Sequence, residues 1–159
     1  MRDPTAAPGV GLRAFREADR EGLIRLWTVS ELLRPWNDPN RDIDAKVDQD
    51  PEGLLVLVER DRVIGSVMAG YDGHRGWVNY LAVDPDRRLR GFAKKLMTAA
   101  ETHLSAQGCQ KVNLQIRTAN SGVVGFYRRL GYELDDVVSM GRHLSGHTEA
   151  RDPTLGDRS

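Results

Sequence analysis

Arg88-Leu89-Arg90-Gly91-Phe92-Ala93 is the stretch of this chain whose residue types could hold an anion. If a helix begins there, its first N–H groups have no partner inside the helix and stand at the positive end of its dipole, so a diphosphate can accept them. Gly91 and Ala93, with no side chain or one methyl, let the backbone approach phosphate oxygens, while Arg88 and Arg90 add charge-assisted contacts. One dipole contact contributes only about 0.3–1 kcal/mol. Several amides and an arginine must therefore act together. An arginine-rich surface turn entering an amphipathic helix would look the same, and the residues alone leave both readings open. Two other phosphate patterns drop out: Gly65 to Gly70 has Walker spacing but continues into Tyr71-Asp72, and G-x-G-x-x-G does not occur.

A strand must deliver that turn and a helix must continue it. Trp77 to Val83 reads as the strand, stopped at Asp84-Pro85 because proline lacks the N–H a ladder needs. Ala93, Leu96, Met97, Ala100 and Leu104 step by three and four, which predicts a long helix ended by Gly108. Upstream, Leu12 to Phe15 predicts a first strand, and Asp19 an N-cap for a helix burying Leu23, Leu26 and Trp27. A second short helix is expected from Asp42. Leu54–Val58 and Val63–Met68, separated by four charged residues, predict a hairpin. Downstream, Val112 to Ile116 alternates as a half-buried strand, Ser121 to Leu130 predicts a helix, and Tyr132–Leu134 with Val137–Arg142 are expected to close the sheet. The class is α/β or α+β, a mixed sheet with helices on its faces.

The 159 residues suit one domain, expected over 11–144, with 1–10 and 145–159 as flexible tails poor in large apolar groups. Lys plus Arg and Asp plus Glu both number 23, so no net basic field gathers nucleic acid or anionic lipid, and Arg87, Arg88 and Arg90 lack interleaved aromatics beyond Phe92. Cys109 is the lone cysteine, which excludes an internal disulfide and fits a cytoplasmic protein; it reads as a packing residue. No apolar run approaches the roughly 20 residues of a membrane span. His74, His103, His143 and His147 show no metal-ligand spacing, so no metal is expected.

Leu81-Ala82-Val83-Asp84-Pro85 followed by Arg88-x-x-Gly91-x-Ala93 resembles the central motif of the GNAT N-acetyltransferases, Q/R-x-x-G-x-G/A. Asn120 through Phe126-Tyr127-Arg128-Arg129-Leu130-Gly131-Tyr132 is similar to the family's later strand-helix segment, and together the likeness covers about residues 12 to 144. Leu33–Pro39 and Tyr71–Gly76 further resemble the YpeA-type bacterial branch. The resemblance implies a mostly antiparallel sheet of six to seven strands, splayed between strands four and five and flanked by about four helices. It implies acetyl-CoA as acetyl donor, with Leu81, Ala82 and Val83 pairing with the pantetheine arm as a sheet edge pairs with an added strand. Arg88, Leu89, Arg90, Gly91, Phe92 and Ala93 would hold the diphosphate, and Asn120 and Tyr127 complete the cofactor site. Tyr127 matches the tyrosine that protonates the departing CoA thiolate; helical spacing from Val123 and Leu130 equally allows it to pack.

Direct attack needs a neutral amine, and a lysine-like amine with a pKa of about 10.4 costs roughly 4–5 kcal/mol to deprotonate at pH 7. Many relatives place a carboxylate near the start of strand four, where this chain reads Trp77-Val78-Asn79-Tyr80. Asp72 and His74 are the candidate bases, or simply part of a polar turn. An α-amino acceptor would tolerate a weaker base. Trp36 could cover, and Asp38 attract, an acceptor from the stiff Leu33–Pro39 loop, although a tryptophan fixing that loop explains it too. The resemblance implies an amine acceptor: a small-molecule amine, a peptide or protein N-terminus, or a lysine. A homodimer is compatible with the sequence. The missing acid also keeps in view a non-catalytic acyl-CoA-binding sensor or regulatory module.

Overall fold

The structure, a computed structural model, describes residues 9–144; the proposed tails lie outside the described residues except for Gly9 and Val10. It forms two compact units. Among the described residues, one holds 9–33 together with Pro39–Gln115, the other Arg34–Asp38 with 116–144.

In the first unit β1 (Val10–Ala14), β2 (Leu54–Glu59), β3 (Arg62–Tyr71), β4 (Gly76–Val83) and β5 (Val112–Leu114) make one sheet in the order β1-β2-β3-β4-β5. Neighbours run antiparallel from β1 to β4, and β5 joins β4 in parallel. The expected hairpin is β2–β3, whose Arg60 and Asp61 both take left-handed φ, 48° and 62°, as a two-residue turn matched to strand twist requires. Helix α1 (Arg20–Val29) buries Leu23, Leu26 and Trp27, and α2 (Pro39–Gln49) buries Ile43, against Leu54, Val56, Val63 and Ala82. Helix α3 (Phe92–Ala106) buries Leu96, Met97, Ala100 and Leu104. Gly65 sits in tight packing, since a Cβ there would stand 3.0 Å from a Leu96 methyl and 3.2 Å from a Leu57 methyl, and those side chains would have to give way. That explains the Walker-like glycine as a packing contact.

Several expectations are corrected. Helix α2 starts at Pro39, not Asp42, because proline is well suited to a first helical turn. Asp19 stands before α1 but does not cap it: its carboxylate is taken by the Arg16 N–H and by Arg13. Strand β5 stops at Leu114, and Ser121–Leu130 contributes a 3-10 stretch, Thr118–Val123, before a short α4 (Val124–Arg129). Gly122 and Gly125 disfavour a longer helix there. Among the described residues the sheet has five strands, not six or seven: Tyr132–Leu134 and Val137–Arg142 form none. Short apolar runs supply only a local preference, whereas a strand needs a ladder partner and a face to bury. Here Leu134, Val138 and Met140 are 71%, 88% and 92% exposed.

Candidate active site

Strand β4 sets the site's geometry. Its ladder with β5 covers only Gly76, Trp77 and Val78, so among the described residues Asn79–Val83 pair with no strand on that side, and Asn79, Ala82 and Val83 pair with β3 on the other. Backbone groups along that edge can therefore accept an extended ligand as an added strand. Of the side chains there, Ala82 is buried in the core, so its part in ligand contact can only be through its backbone.

Asp84 then ends the strand and fixes the turn. Its carboxylate is buried, accepts the Asp86 N–H at 3.1 Å, and takes Arg25 at 3.1 Å and Arg62 at 3.3 Å. Burial pushes its pKa up, but the Asp86 amide and the two guanidinium groups together hold it below the usual carboxylate range. Arg87 is drawn aside to Glu59 at 2.8 Å. Arg88, Leu89, Arg90 and Gly91 face solvent, and neither Arg88 nor Arg90 is ion-paired among the described residues. Leu89 and Gly91 lie in the left-handed region, φ 63° and 77°, the kind of turn in which neighbouring amides converge on an anion. No side chain caps the α3 N-terminus. A Cβ at Gly91 would meet nothing within 4 Å, so the approach is open. Phe92 is buried, leaving its amide for the ligand and its ring for the core. A diphosphate on a pantetheine arm fits this turn and edge.

In the second unit Tyr127 lies on α4, edge-on to Phe126 at 5.0 Å and to Tyr132 at 5.8 Å. Burial alone raises its phenol's pKa, which keeps the proton on at neutral pH. Asn120 is exposed at a kink, φ −111° and ψ 37°, inside the 3-10 stretch. Trp36 carries the Arg117 guanidinium 5.8 Å above its ring, which occupies that face of the expected acceptor wall.

The acetyltransferase (GNAT) family model matches residues 16–132. The chain belongs to that family. It is 47% identical over 133 residues to acetyltransferase YE1169 of Yersinia enterocolitica, covering 84% of this chain and 94% of the relative. Among solved structures it resembles Ard1 from Thermoplasma volcanium, with a TM-score of 0.67, 21% identity and coverage of 80% and 84%. It also resembles the aminoglycoside N-acetyltransferase AAC(6')-Iy in complex with CoA, with a TM-score of 0.69, 19% identity and coverage of 87% and 99%. This GNAT chain is thus an N-acetyltransferase, in a family that uses acetyl-CoA as donor.

Of the two candidate bases in this GNAT chain, Asp72 is committed to its turn. It accepts the Arg75 and His74 N–H groups, each at 2.7 Å, and the Trp77 indole at 3.3 Å. Those amide bonds lower its pKa, so it is a poor proton acceptor. His74 is exposed on the same turn. Cys109 packs where β5 enters, its sulfur 2.8 Å from where a Cβ on Gly76 would be. The sequence reading missed Asp42, which sits 2.5 Å from the Tyr80 phenol. Nothing local signals that pair. The Asp84 anchor had a signal, the Asp-Pro strand stop, but its arginines come from α1 and β3.

Proposed function

We propose that the chain transfers an acetyl group from acetyl-CoA to an amine by direct attack in a ternary complex, with Tyr127 as general acid. The observation that carries this is the left-handed turn at Leu89 and Gly91, open to solvent and placed directly after the β4 edge. When bound, the donor supplies an activated thioester. The residues of β4 align its arm, the α3 amides with Arg88 and Arg90 hold its phosphates, and Asn120 contributes a polar contact. The amine nitrogen forms a bond to the acetyl carbon as the carbon–sulfur bond breaks, and the Tyr127 hydroxyl gives its proton to the sulfur. The raised phenol pKa supports that role, because the proton is still present when it is needed. The family match runs through both compact units, which supports reading 11–144 as one acetyltransferase domain. A donor made inside cells and a lone thiol, Cys109, support action in the cytoplasm.

Thiol release from acetyl-CoA, followed over small amines, peptide N-termini and lysine peptides, tests this. Tyr127→Phe is expected to lower turnover at least about tenfold while acetyl-CoA affinity by calorimetry changes little. Unchanged turnover removes Tyr127 from the mechanism, and a folded chain that takes up neither CoA nor acetyl-CoA ends the reading.

A further inference from the structure

We propose that Tyr80 and Asp42 form the proton outlet for the acceptor amine, a proposal that rests on the acetyl-transfer reading above. The attacking nitrogen must be neutral, yet a primary alkyl amine arrives at pH 7 as an ammonium. Strand β4 contains no acid or histidine, and Asp72 is spent on its own turn. The fold supplies a carboxylate from α2 instead.

An arm that starts from the diphosphate at α3 and follows the unpaired edge from Val83 back to Asn79 covers about 13 Å, at about 3.3 Å per residue. That edge closes where Val78 pairs with Leu114. Tyr80 therefore lies at the acyl end of the track, not the phosphate end.

Tyr80 is also held firmly. Ser66 pairs with Ala82 and Met68 with Asn79, so Val67 faces two residues and β4 bulges at Tyr80, whose φ is 52°. A non-glycine residue there costs about 1–2 kcal/mol and persists only where its surroundings enforce it. Here the Ser66 hydroxyl donates to the Tyr80 carbonyl at 2.8 Å, the Trp27 indole donates to Ser66 at 2.9 Å, and the Trp27 ring stacks on the Tyr80 ring at 3.9 Å and 16°. The result is one orientation for the phenol, donating to Asp42 Oδ2 at 2.5 Å. Both residues remain partly exposed, so an acceptor can reach them.

The chemistry balances. An ammonium N–H passes its proton to Tyr80 Oη while the Tyr80 proton moves to Asp42 Oδ2. The amine becomes neutral, the carboxylate becomes a carboxylic acid and the phenol is regenerated. Burial, reinforced by Asp42, pushes the Tyr80 phenol well above its ordinary pKa, which suits a relay that stays a phenol and not a phenolate base. Neighbouring charges are engaged elsewhere. On α1, Arg20 holds Glu17 and Asp44, and Arg25 holds Asp84; on α2, Lys46 holds the Ala69 carbonyl and lies 3.5 Å from Asp50. Glu21 and Asp48 are exposed, and Arg41 has interactions of its own. From β3 the facing residues are Ser66, Val67 and Met68, and on α3 His103 holds Asp50.

A pair that merely ties α2 to the sheet would predict a defect independent of pH, and this separates the readings. With a primary-amine acceptor, Tyr80→Phe and Asp42→Asn should each lower kcat/KM at least about tenfold near pH 7. The deficit should shrink to less than about threefold near pH 9.5, where the acceptor, with a pKa of about 10.4, increasingly sheds its own proton. Acetyl-CoA affinity should match the parent throughout. A deficit constant across pH, or none, overturns the relay. A parent that binds acetyl-CoA but releases no thiol with any amine overturns the acetyl-transfer reading and the relay with it. Should Asp42→Asn fail to fold, Tyr80→Phe decides alone, because it keeps the stack on Trp27.

Discussion

Beyond Val83 the chain turns Arg88, Leu89, Arg90 and Gly91 out to solvent, whereas three residues before Val83 it turns Tyr80 in against Trp27 and Asp42. Both places hold left-handed non-glycine backbone, at Leu89 and at Tyr80. At the outer one the side chains of Arg88 and Arg90 are exposed, as the proposed diphosphate site requires. At the inner one the polar groups are already satisfied by each other. A diphosphate has to arrive and leave, so its amides and guanidinium groups must stay accessible. A proton must move between fixed atoms, and that demands groups locked at hydrogen-bond distance.

The largest effect on stability expected from disturbing this contrast comes at Asp84, which joins the two regions. Asp84→Ala removes the acceptor for the Asp86 N–H and leaves Arg25 and Arg62 without their shared carboxylate. Both arginines are part-exposed, which screens the ion pairs, so the loss should be about 1–2 kcal/mol and come mostly from the part-buried amide left without its acceptor and from the space the buried carboxylate vacates. Urea unfolding measures it. Because the folded-state pKa of Asp84 is depressed, the stability it contributes is present above the unfolded carboxylate value of about 3.9 and is lost as pH falls through the folded one. The gap between parent and variant should therefore be full at neutral pH and begin to close only below about pH 4. A gap unchanged in strong acid would mean that the carboxylate's charge plays no part.

A similar effect on binding separates the regions by ligand. Arg88→Ala and Arg90→Ala should each weaken CoA binding by about 1–2 kcal/mol, roughly five- to thirtyfold, and the loss should shrink as salt is raised. Tyr80→Phe should leave CoA affinity alone. Equal effects from the two ends of β4 in calorimetry would mean that the two regions do not divide cofactor binding from proton transfer. No effect from either arginine would leave the α3 amides as the whole of the cradle.

The outer region was legible in the sequence because its parts are contiguous: a strand stopped by Asp84-Pro85, small residues at Gly91 and Ala93, and a helix whose apolar face repeats from Leu96 to Leu104. The β2–β3 hairpin was legible for the same reason. The inner region was not, since Asp42 and Tyr80 stand 38 residues apart, and Trp27 and Ser66 39 apart. Their meeting depends on α1 and α2 folding onto one face of the sheet and on a bulge that no local pattern announces. Tyr132–Arg142 misled in the opposite direction, because its short apolar runs suggested strands but found no ladder partner among the described residues.

The smallest effect concerns Leu89, whose side chain is fully exposed and packs on nothing that would offset its backbone strain. Glycine adopts φ 63° freely, so Leu89→Gly should recover about 1–2 kcal/mol of strain. Against this, the freer unfolded chain costs about 0.5–1 kcal/mol. The net gain should stay under about 1.5 kcal/mol, seen as a small rise in the urea midpoint. CoA affinity should hold within about twofold, since the amide at 89 survives the change. A tenfold loss would show that the leucine side chain itself covers the ligand, and the outer region would then bind by packing as well as by charge.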